Sequence, residues 1–145
     1  MKILVTGGTG YIGSHTVVEL QQKGFEVIIV DALFNSRIEV LDSIEKITGI
    51  RPEFESFDLA DQAKTDNFFS RHNDIKGIIH FAAHKAVGES VEQPIKYYRN
   101  NLDSFLTILE LMKEFGRKNV LFSSSATVYG DADTLPVTER TPRKP

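Results

Sequence analysis

The sequence contains no cysteine among its 145 residues, so disulfide bonds and thiolate chemistry are excluded. No apolar run approaches the ~20 residues that a helix needs to cross a bilayer. The formal net charge of −3 gives no nucleic-acid footprint, and the basic residues of 140–144 lie in a proline-containing tail that we interpret as solvated. A strand pattern follows Met1 directly, which leaves no room for a signal peptide. We therefore expect a cytoplasmic protein without a nucleic-acid or membrane partner.

Two further absences concern catalytic chemistry. The G-x-S-x-G pattern of a serine nucleophile elbow does not occur in the sequence. His80 and His84 are four positions apart, but they fall on a predicted strand and the loop after it, without a third ligand nearby. We therefore expect no metal site, and we interpret His80 as a packed strand residue.

Short apolar runs alternate with helical patterns along the chain. This order predicts a parallel sheet with helices on both faces, because right-handed crossovers join parallel strands through helices. The predicted strands lie at 2–6, 27–30, 53–57, 77–81 and 119–122. The first predicted helix follows the glycine turn that ends at Gly13, and the other helices lie at 36–48, 61–71 and 94–115. The fold class is therefore α/β, a doubly wound parallel sheet of the Rossmann type. We assign it to one domain over residues 1–145, which ends after the fifth strand.

The helix predicted at 36–48 depends on two local signals. Ser36 to Glu39 reads as a capping box, in which the serine hydroxyl accepts a backbone N–H and the glutamate returns the bond. Gly49 is well placed to end the helix, since glycine adopts the left-handed conformation without steric cost.

A glycine-rich turn follows the first strand. Gly7, Gly10 and Gly13 form a G-x-x-G-x-x-G pattern between a strand and a helical segment. One glycine allows the turn, one allows close approach of the phosphates, and one allows tight helix packing. A pyrophosphate would then meet the positive end of the helix. The alternative is a tight turn between strand and helix with no ligand.

Asp31 ends the second strand, eighteen positions beyond Gly13. This is the spacing of an acidic residue that binds the ribose hydroxyls of an adenine dinucleotide. A carboxylate there would repel a 2′-phosphate, so the sequence favours NAD over NADP. The alternative is that Asp31 caps a helix or turn.

Polar residues also follow the third, fourth and fifth strands, and parallel strands bring their carboxyl ends to one edge of the sheet. Asp58-Leu59 fits an adenine contact, or else a turn that the aspartate caps. Lys85 fits a cofactor contact, or else an ordinary exposed lysine. Ser125 could hydrogen-bond a reacting substrate hydroxyl, or else cap the strand end.

The longest predicted helix, residues 94–115, has two apolar stripes. One stripe contains Ile95, Tyr98, Leu102, Phe105, Leu106 and Leu109, and the other contains Ile108, Leu111 and Phe115. A helix that is apolar on two faces packs against the sheet and against something else. We expect the second stripe to be the exposed one, and to cause self-association.

Several stretches carry a resemblance to a known family. Residues 6–13 are similar to the cofactor loop of the extended short-chain dehydrogenase/reductases. Within this superfamily, the chain resembles the UDP-glucose 4-epimerases at residues 31–36, 80–90, 97–101 and 122–130. The stretch from Lys85 to Ser90 and the triple serine 123–125 are more specific than the glycine loop.

The resemblance implies NAD as cofactor and a UDP-sugar as substrate. It places Tyr11 and Ile12 at the pyrophosphate. It places Asp58 and Leu59 at the adenine, and it places at the ribose Asp31, Ala32, Leu33, Phe34, Asn35 and Ser36. It adds as further cofactor contacts Phe81, Ala82, Ala83, His84, Lys85, Asn100 and Ser123. Lys85 and Ser125 would contact the sugar, with Ser125 catalytic at its 4-hydroxyl. The reaction implied is C4 oxidation, rotation of the keto sugar and re-reduction, in a homodimer joined through helix 94–115.

The sequence departs from the family at its catalytic base. The family uses the tyrosine of Tyr-x-x-x-Lys, and none of the four tyrosines here has a lysine four positions later. We therefore expect an incomplete enzyme that lacks the last helix and the substrate domain and is inactive alone. The remaining alternatives are another nucleotide-sugar epimerase, a dehydratase, or a non-catalytic NAD-binding module.

Overall fold

A computed structural model describes residues 1–116 and 118–144. Five parallel strands form one sheet in the order β3-β2-β1-β4-β5, which confirms the predicted fold class. The strands are β1 (Lys2–Thr6), β2 (Glu26–Val30), β3 (Glu53–Glu55), β4 (Ile75–His80) and β5 (Val120–Phe122). The helices are α1 (Tyr11–Gln22), α2 (Val40–Thr48), α3 (Gln62–Arg71), α4 (Val87–Glu92) and α5 (Pro94–Glu114), followed by a 3-10 turn (Ala126–Tyr129).

The core lies on both faces of the sheet, as in other parallel sheets covered by crossover helices. Successive strand residues point to opposite faces. One cluster packs α3 and α5 against the sheet through residues that include Leu4, Ile28, Ile78, Phe68 and Ile108. The other packs α1 and α2 against the opposite face through residues that include Val5, Ile29, Val17, Leu41 and Ile44. Because β1 pairs with both β2 and β4, the strand order reverses at the carboxyl end of β1.

The helix predicted from Ser36 begins instead at Val40, so the capping-box prediction is wrong. The hydroxyl of Ser36 donates to Asp31 Oδ1 at 3.2 Å and lies 2.7 Å from Thr9 Oγ1. These contacts with distant residues replace the local cap. Gly49 does end α2 in the left-handed conformation, with φ 75°. The six residues of α4 were not predicted, since so short a helix carries little periodic pattern.

The prediction for the two stripes of α5 is wrong. Ile108 and Leu111 are buried in the core, and Phe115 packs partly against it. The stripe left exposed to solvent contains Ile95, Tyr98, Leu102, Leu106 and Leu109. Ser104 and Thr107 are also buried and lie on the packed side of the helix. Among the described residues, no helix is both long and apolar enough to cross a membrane.

Candidate functional site

A cleft of about 640 Å³ opens at the carboxyl edge of the sheet. It is lined by the loops after all five strands and by the first half of α5. The predicted site residues that line it are Gly7, Gly10, Tyr11, Ile12, Gly13, Asp31, Ala32, Phe34, Asn35, Asp58, Leu59, Phe81, Ala82, Ala83, His84, Lys85, Asn100, Ser123 and Ser125. Leu33 and Ser36 do not line the cleft, but both hydrogen-bond the carboxylate of Asp31. The sheet topology therefore brings these residues together as expected.

The glycine turn, Gly7 to Gly13, is tightly packed and lines this cleft. Gly7 has φ 69°, and its N–H donates to Val30 O at 2.9 Å. A Cβ on Gly7 would lie 2.8 Å from Ala82 N, and a Cβ on Gly13 would overlap the carbonyl oxygen of Gly7. Gly10 is the N-cap of α1 and provides no side-chain acceptor. The first turn of α1 thus presents backbone N–H groups to the cleft, where an anion can accept from them.

Asp31 is 9% exposed, and its carboxylate is held by three hydrogen bonds. Its Oδ2 accepts from Thr9 N at 3.2 Å, and its Oδ1 accepts from Leu33 N at 2.9 Å and Ser36 Oγ at 3.2 Å. A carboxylate offers about four acceptor positions, so Oδ2 keeps capacity for a further donor. Asp31 therefore organises its own turn, as one interpretation predicted, and still faces the cleft.

Asp58 also makes a local turn. Its Oδ1 accepts from Ala60 N at 2.9 Å, as the interpretation of a turn aspartate predicted. Leu59 is buried, and its carbonyl accepts from Thr65 Oγ1 at 3.2 Å. Both residues also line the cleft, so the local role and the ligand-binding role are compatible at this position.

Sequence reasoning missed Asn101, which supports the loop between β4 and α4. Asn101 Oδ1 accepts from His84 N at 2.8 Å, and Asn101 Nδ2 donates to His84 O at 2.9 Å. The ring of His84 also lies 5.4 Å from that of Tyr97. Tyr97 and Asn101 are both residues of α5, and both line the cleft. The partner His84 is seventeen positions away in the sequence, and no local pattern indicated this contact.

Tyr97 and Lys96 connect α5 to α4 through one carboxylate. Lys96 Nζ donates to Glu89 Oε1 at 2.6 Å, and the Tyr97 hydroxyl donates to Glu89 Oε2 at 2.7 Å. These two hydrogen bonds, the one from Lys96 first, lower the pKa of Glu89 below its ordinary value. The loop that carries Lys85 is therefore held at both of its ends, while Lys85 itself remains exposed on the cleft wall.

His80 is a packed strand residue, as predicted. It is 2% exposed, its Nδ1 lies 2.8 Å from Thr6 Oγ1, and burial lowers its pKa to about 4. The imidazole is therefore neutral near pH 7, and it packs against both Phe105 and Phe122, whose rings also contact each other at 4.5 Å. No group of three or more potential metal ligands occurs within residues 1–116 and 118–144.

The serines that follow β5 line the cleft on the side of that strand. Ser123 N donates to His80 O at 3.1 Å and so extends the pairing of β4 and β5. Ser125 Oγ accepts from Thr127 N at 3.2 Å and lies 2.8 Å from Thr127 Oγ1, so Ser125 caps the 3-10 turn. Ser125 therefore caps the turn that follows it and not the strand end that the alternative interpretation proposed, and the residue also lines the cleft.

The family model described as GDP-mannose 4,6 dehydratase matches residues 4–145. The chain belongs to this family. Within it, the chain is 51% identical over 142 residues to UDP-glucose 4-epimerase of Bacillus subtilis, and 49% identical over 146 residues to that of Schizosaccharomyces pombe. Each match covers 98% of this chain and, respectively, 42% and 41% of the relative. The chain thus spans about two fifths of the length of the curated relatives it matches.

A solved structure of a relative has the same fold as this chain. The crystal structure of UDP-glucose 4-epimerase from Bifidobacterium longum in complex with NAD+ and UDP superposes with a TM-score of 0.94 at 48% identity. The match covers 99% of this chain and 43% of that chain. The resemblance to UDP-glucose 4-epimerases and the Rossmann-type fold are therefore both confirmed.

Proposed function

We propose that this chain forms the NAD-binding part of an enzyme that interconverts UDP-glucose and UDP-galactose. The observation that carries the proposal is the cleft at the point where the strand order reverses, lined by the glycine turn, Asp31 and the serines after β5. Identity of about half of all aligned positions to UDP-glucose 4-epimerases supports the substrate class. The proposal includes galactose metabolism as the process and the cytoplasm as the compartment.

The residues present fit a dinucleotide. The uncapped first turn of α1, at Tyr11 and Ile12, would receive the pyrophosphate, and the remaining acceptor capacity of Asp31 would receive the ribose hydroxyls. Asp58 and Leu59 would lie at the adenine, and residues 81–85 with Asn100 and Ser123 along the rest of the cofactor. NAD would supply a hydride acceptor that also returns the hydride to the substrate.

Toward the sugar, we assign Lys85 and Ser125 as substrate contacts. The hydroxyl of Ser125 would hydrogen-bond the 4-hydroxyl of the sugar, and Thr127 Oγ1 lies 2.8 Å from the Ser125 oxygen as a second partner. No tyrosine of the sequence is followed four positions later by lysine. The proposal therefore assigns no catalytic base to residues 1–145, and it expects these residues alone to bind NAD without converting UDP-sugars.

A nucleotide-sugar dehydratase is the second candidate, because the matching family model carries the description of a dehydratase. The epimerase has stronger support, since the relatives at 47–51% identity are UDP-glucose 4-epimerases. Incubation of the full-length protein with UDP-glucose would separate the two: an epimerase yields UDP-galactose, and a dehydratase yields a 4-keto-6-deoxy sugar.

Calorimetric titration of the chain with NAD and with NADP tests the cofactor assignment. We expect tighter binding of NAD, because a 2′-phosphate would be repelled by the carboxylate of Asp31. Tighter binding of NADP, or no binding of either dinucleotide, would contradict the proposal.

We further propose that two copies of the protein associate through α5. The support is the exposed stripe defined above, since a contiguous apolar surface of this kind marks an interaction site. The resemblance to the extended short-chain dehydrogenase/reductases implies a second copy as the partner.

Sedimentation velocity of the protein is expected to show a dimer. Leu102→Glu combined with Leu106→Glu should give a monomer, because a carboxylate would be buried unpaired at the centre of the interface. Ile47→Glu is the control, since Ile47 is an exposed apolar residue of a different helix, α2. A monomeric unmodified protein at high concentration would refute this assembly.

A further inference from the structure

We propose that Phe34 and His84 form a latch across the cleft that slows release of the dinucleotide. The inference rests on the proposed function in one respect only, namely that the cleft binds a dinucleotide. Phe34 belongs to the loop after β2 and His84 to the loop after β4, and both line the cleft. Their ring centroids lie 5.7 Å apart.

The contact bridges the cleft because of the strand order. β2 and β4 lie on opposite sides of β1, and neighbouring strands are about 4.7–4.9 Å apart, which separates β2 from β4 by roughly 10 Å. Two rings from these strands' loops that approach to 5.7 Å therefore meet over the end of β1. The glycine turn, Gly7 to Gly13, follows β1 directly. The latch thus passes over the part of the cleft where the pyrophosphate would lie.

Each half of the latch is held in place by the protein. Phe34 follows Leu33, which has φ 58°, a conformation that residues with side chains rarely adopt. The N–H of Leu33 donates to Asp31 Oδ1 at 2.9 Å, so the proposed ribose-binding carboxylate also directs the turn that carries Phe34. Strained backbone of this kind is found at ligand clamps.

On the other side, His84 is fixed by α5. Asn101 hydrogen-bonds both backbone groups of His84, at 2.8 and 2.9 Å, and the ring of Tyr97 lies 5.4 Å from the imidazole. The Tyr97 hydroxyl is in turn held by Glu89 at 2.7 Å. Three rings, those of Phe34, His84 and Tyr97, therefore form a continuous row from the β2 loop to α5.

The row explains an otherwise costly feature of the surface. Phe34 is 65% exposed, although a phenyl ring gains from burial. A dinucleotide lying on the glycine turn would cover the inner side of Phe34, while the contact with His84 would have to break before the ligand could leave. The latch therefore acts chiefly on the dissociation rate.

The test measures release of NADH from the protein. The protein is loaded with NADH and mixed with excess NAD, and the loss of bound-NADH fluorescence gives the dissociation rate. Phe34→Ala and His84→Ala are each expected to raise this rate about two- to tenfold, the effect of losing one aromatic contact. Phe34→Tyr, which keeps the ring, should release NADH more slowly than Phe34→Ala. Ile47→Ala controls for loss of an exposed apolar side chain away from the cleft.

The double variant Phe34→Ala/His84→Ala decides whether the two residues act through one contact. A shared contact predicts an effect in the double variant that is smaller than the product of the two single effects, because the contact can be lost only once. Effects that multiply in the double variant, or single variants with unchanged rates, would overturn the latch while NADH binding itself stands. Failure of the unmodified protein to bind NADH would overturn the proposed function and the latch with it.

Discussion

Replacing Gly13 with alanine is expected to weaken dinucleotide binding strongly, although alanine adds the smallest side chain that glycine can be exchanged for. The added Cβ would overlap the carbonyl oxygen of Gly7 and lie 2.9 Å from both Gly7 C and Gly8 Cα. All three atoms belong to the backbone of the turn, so no rotamer change can relieve the overlap. Either α1 or the turn must move, and both form the proposed pyrophosphate site.

We expect Gly13→Ala to lower the free energy of unfolding by about 1–3 kcal/mol, as overpacking does in well-packed interiors. The affinity for NAD should fall about tenfold or more, since 1.4 kcal/mol of lost contact corresponds to a factor of ten. Urea unfolding and calorimetric titration measure the two quantities.

Gly88→Ala is the matched control for this change. A Cβ on Gly88 would meet no atom within 4 Å, and the residue lies inside α4, where alanine is the better helix former. This variant should unfold at equal or slightly higher urea concentration and bind NAD as before. Equal NAD affinity in Gly13→Ala and the unmodified protein would refute the role of the tight turn.

Backbone requirements were the part of the site most readily predicted from the sequence. Glycines at fixed spacing after an apolar strand indicate where the chain must turn tightly, and this requirement is local. The parallel order of strands likewise follows from alternating strand and helix patterns, and it brings the ends of β1, β2, β4 and β5 to one edge without any knowledge of packing. Most of the cleft wall could therefore be predicted.

Competition between local and distant partners explains the failed prediction at Ser36. The tetrad 36–39 satisfies the pattern of a capping box, and only the folded chain shows that Asp31 and Thr9 claim the serine hydroxyl. Asn101 was missed for the same reason, because its partner His84 is seventeen positions away. Hydrogen bonds across such distances leave no periodic pattern in the sequence.

The faces of α5 show a different limit. The spacing of apolar residues correctly identified two apolar stripes, but the spacing alone does not show which stripe packs against the sheet. In the structure, Ser104 and Thr107 lie buried on the same face of α5 as Ile108, so this face, with its small polar side chains, is the packed one. The larger apolar stripe was therefore left outside.

The second large effect is expected from Asp31→Asn, which should weaken NAD binding and reduce the preference for NAD over NADP. The carboxylate accepts three hydrogen bonds from the protein, and an amide can accept on one side only. If the amide oxygen keeps the bonds from Leu33 and Ser36, its NH2 group faces the N–H of Thr9. Donor then meets donor in a site that is 9% exposed, at a cost of about 1–3 kcal/mol in stability.

The affinity for NAD should fall about ten- to hundredfold, the value of a hydrogen bond to a charged acceptor. NADP should lose less, because removal of the negative charge also removes its repulsion of the 2′-phosphate. The ratio of the two dissociation constants, measured by calorimetry, therefore separates a direct ribose contact from general loss of structure. Asp66→Asn, which changes an exposed carboxylate on α3, should leave both constants unchanged. If Asp31→Asn weakens both dinucleotides by the same factor, Asp31 serves only to organise its turn, because a group that never meets the ribose cannot distinguish the two ligands.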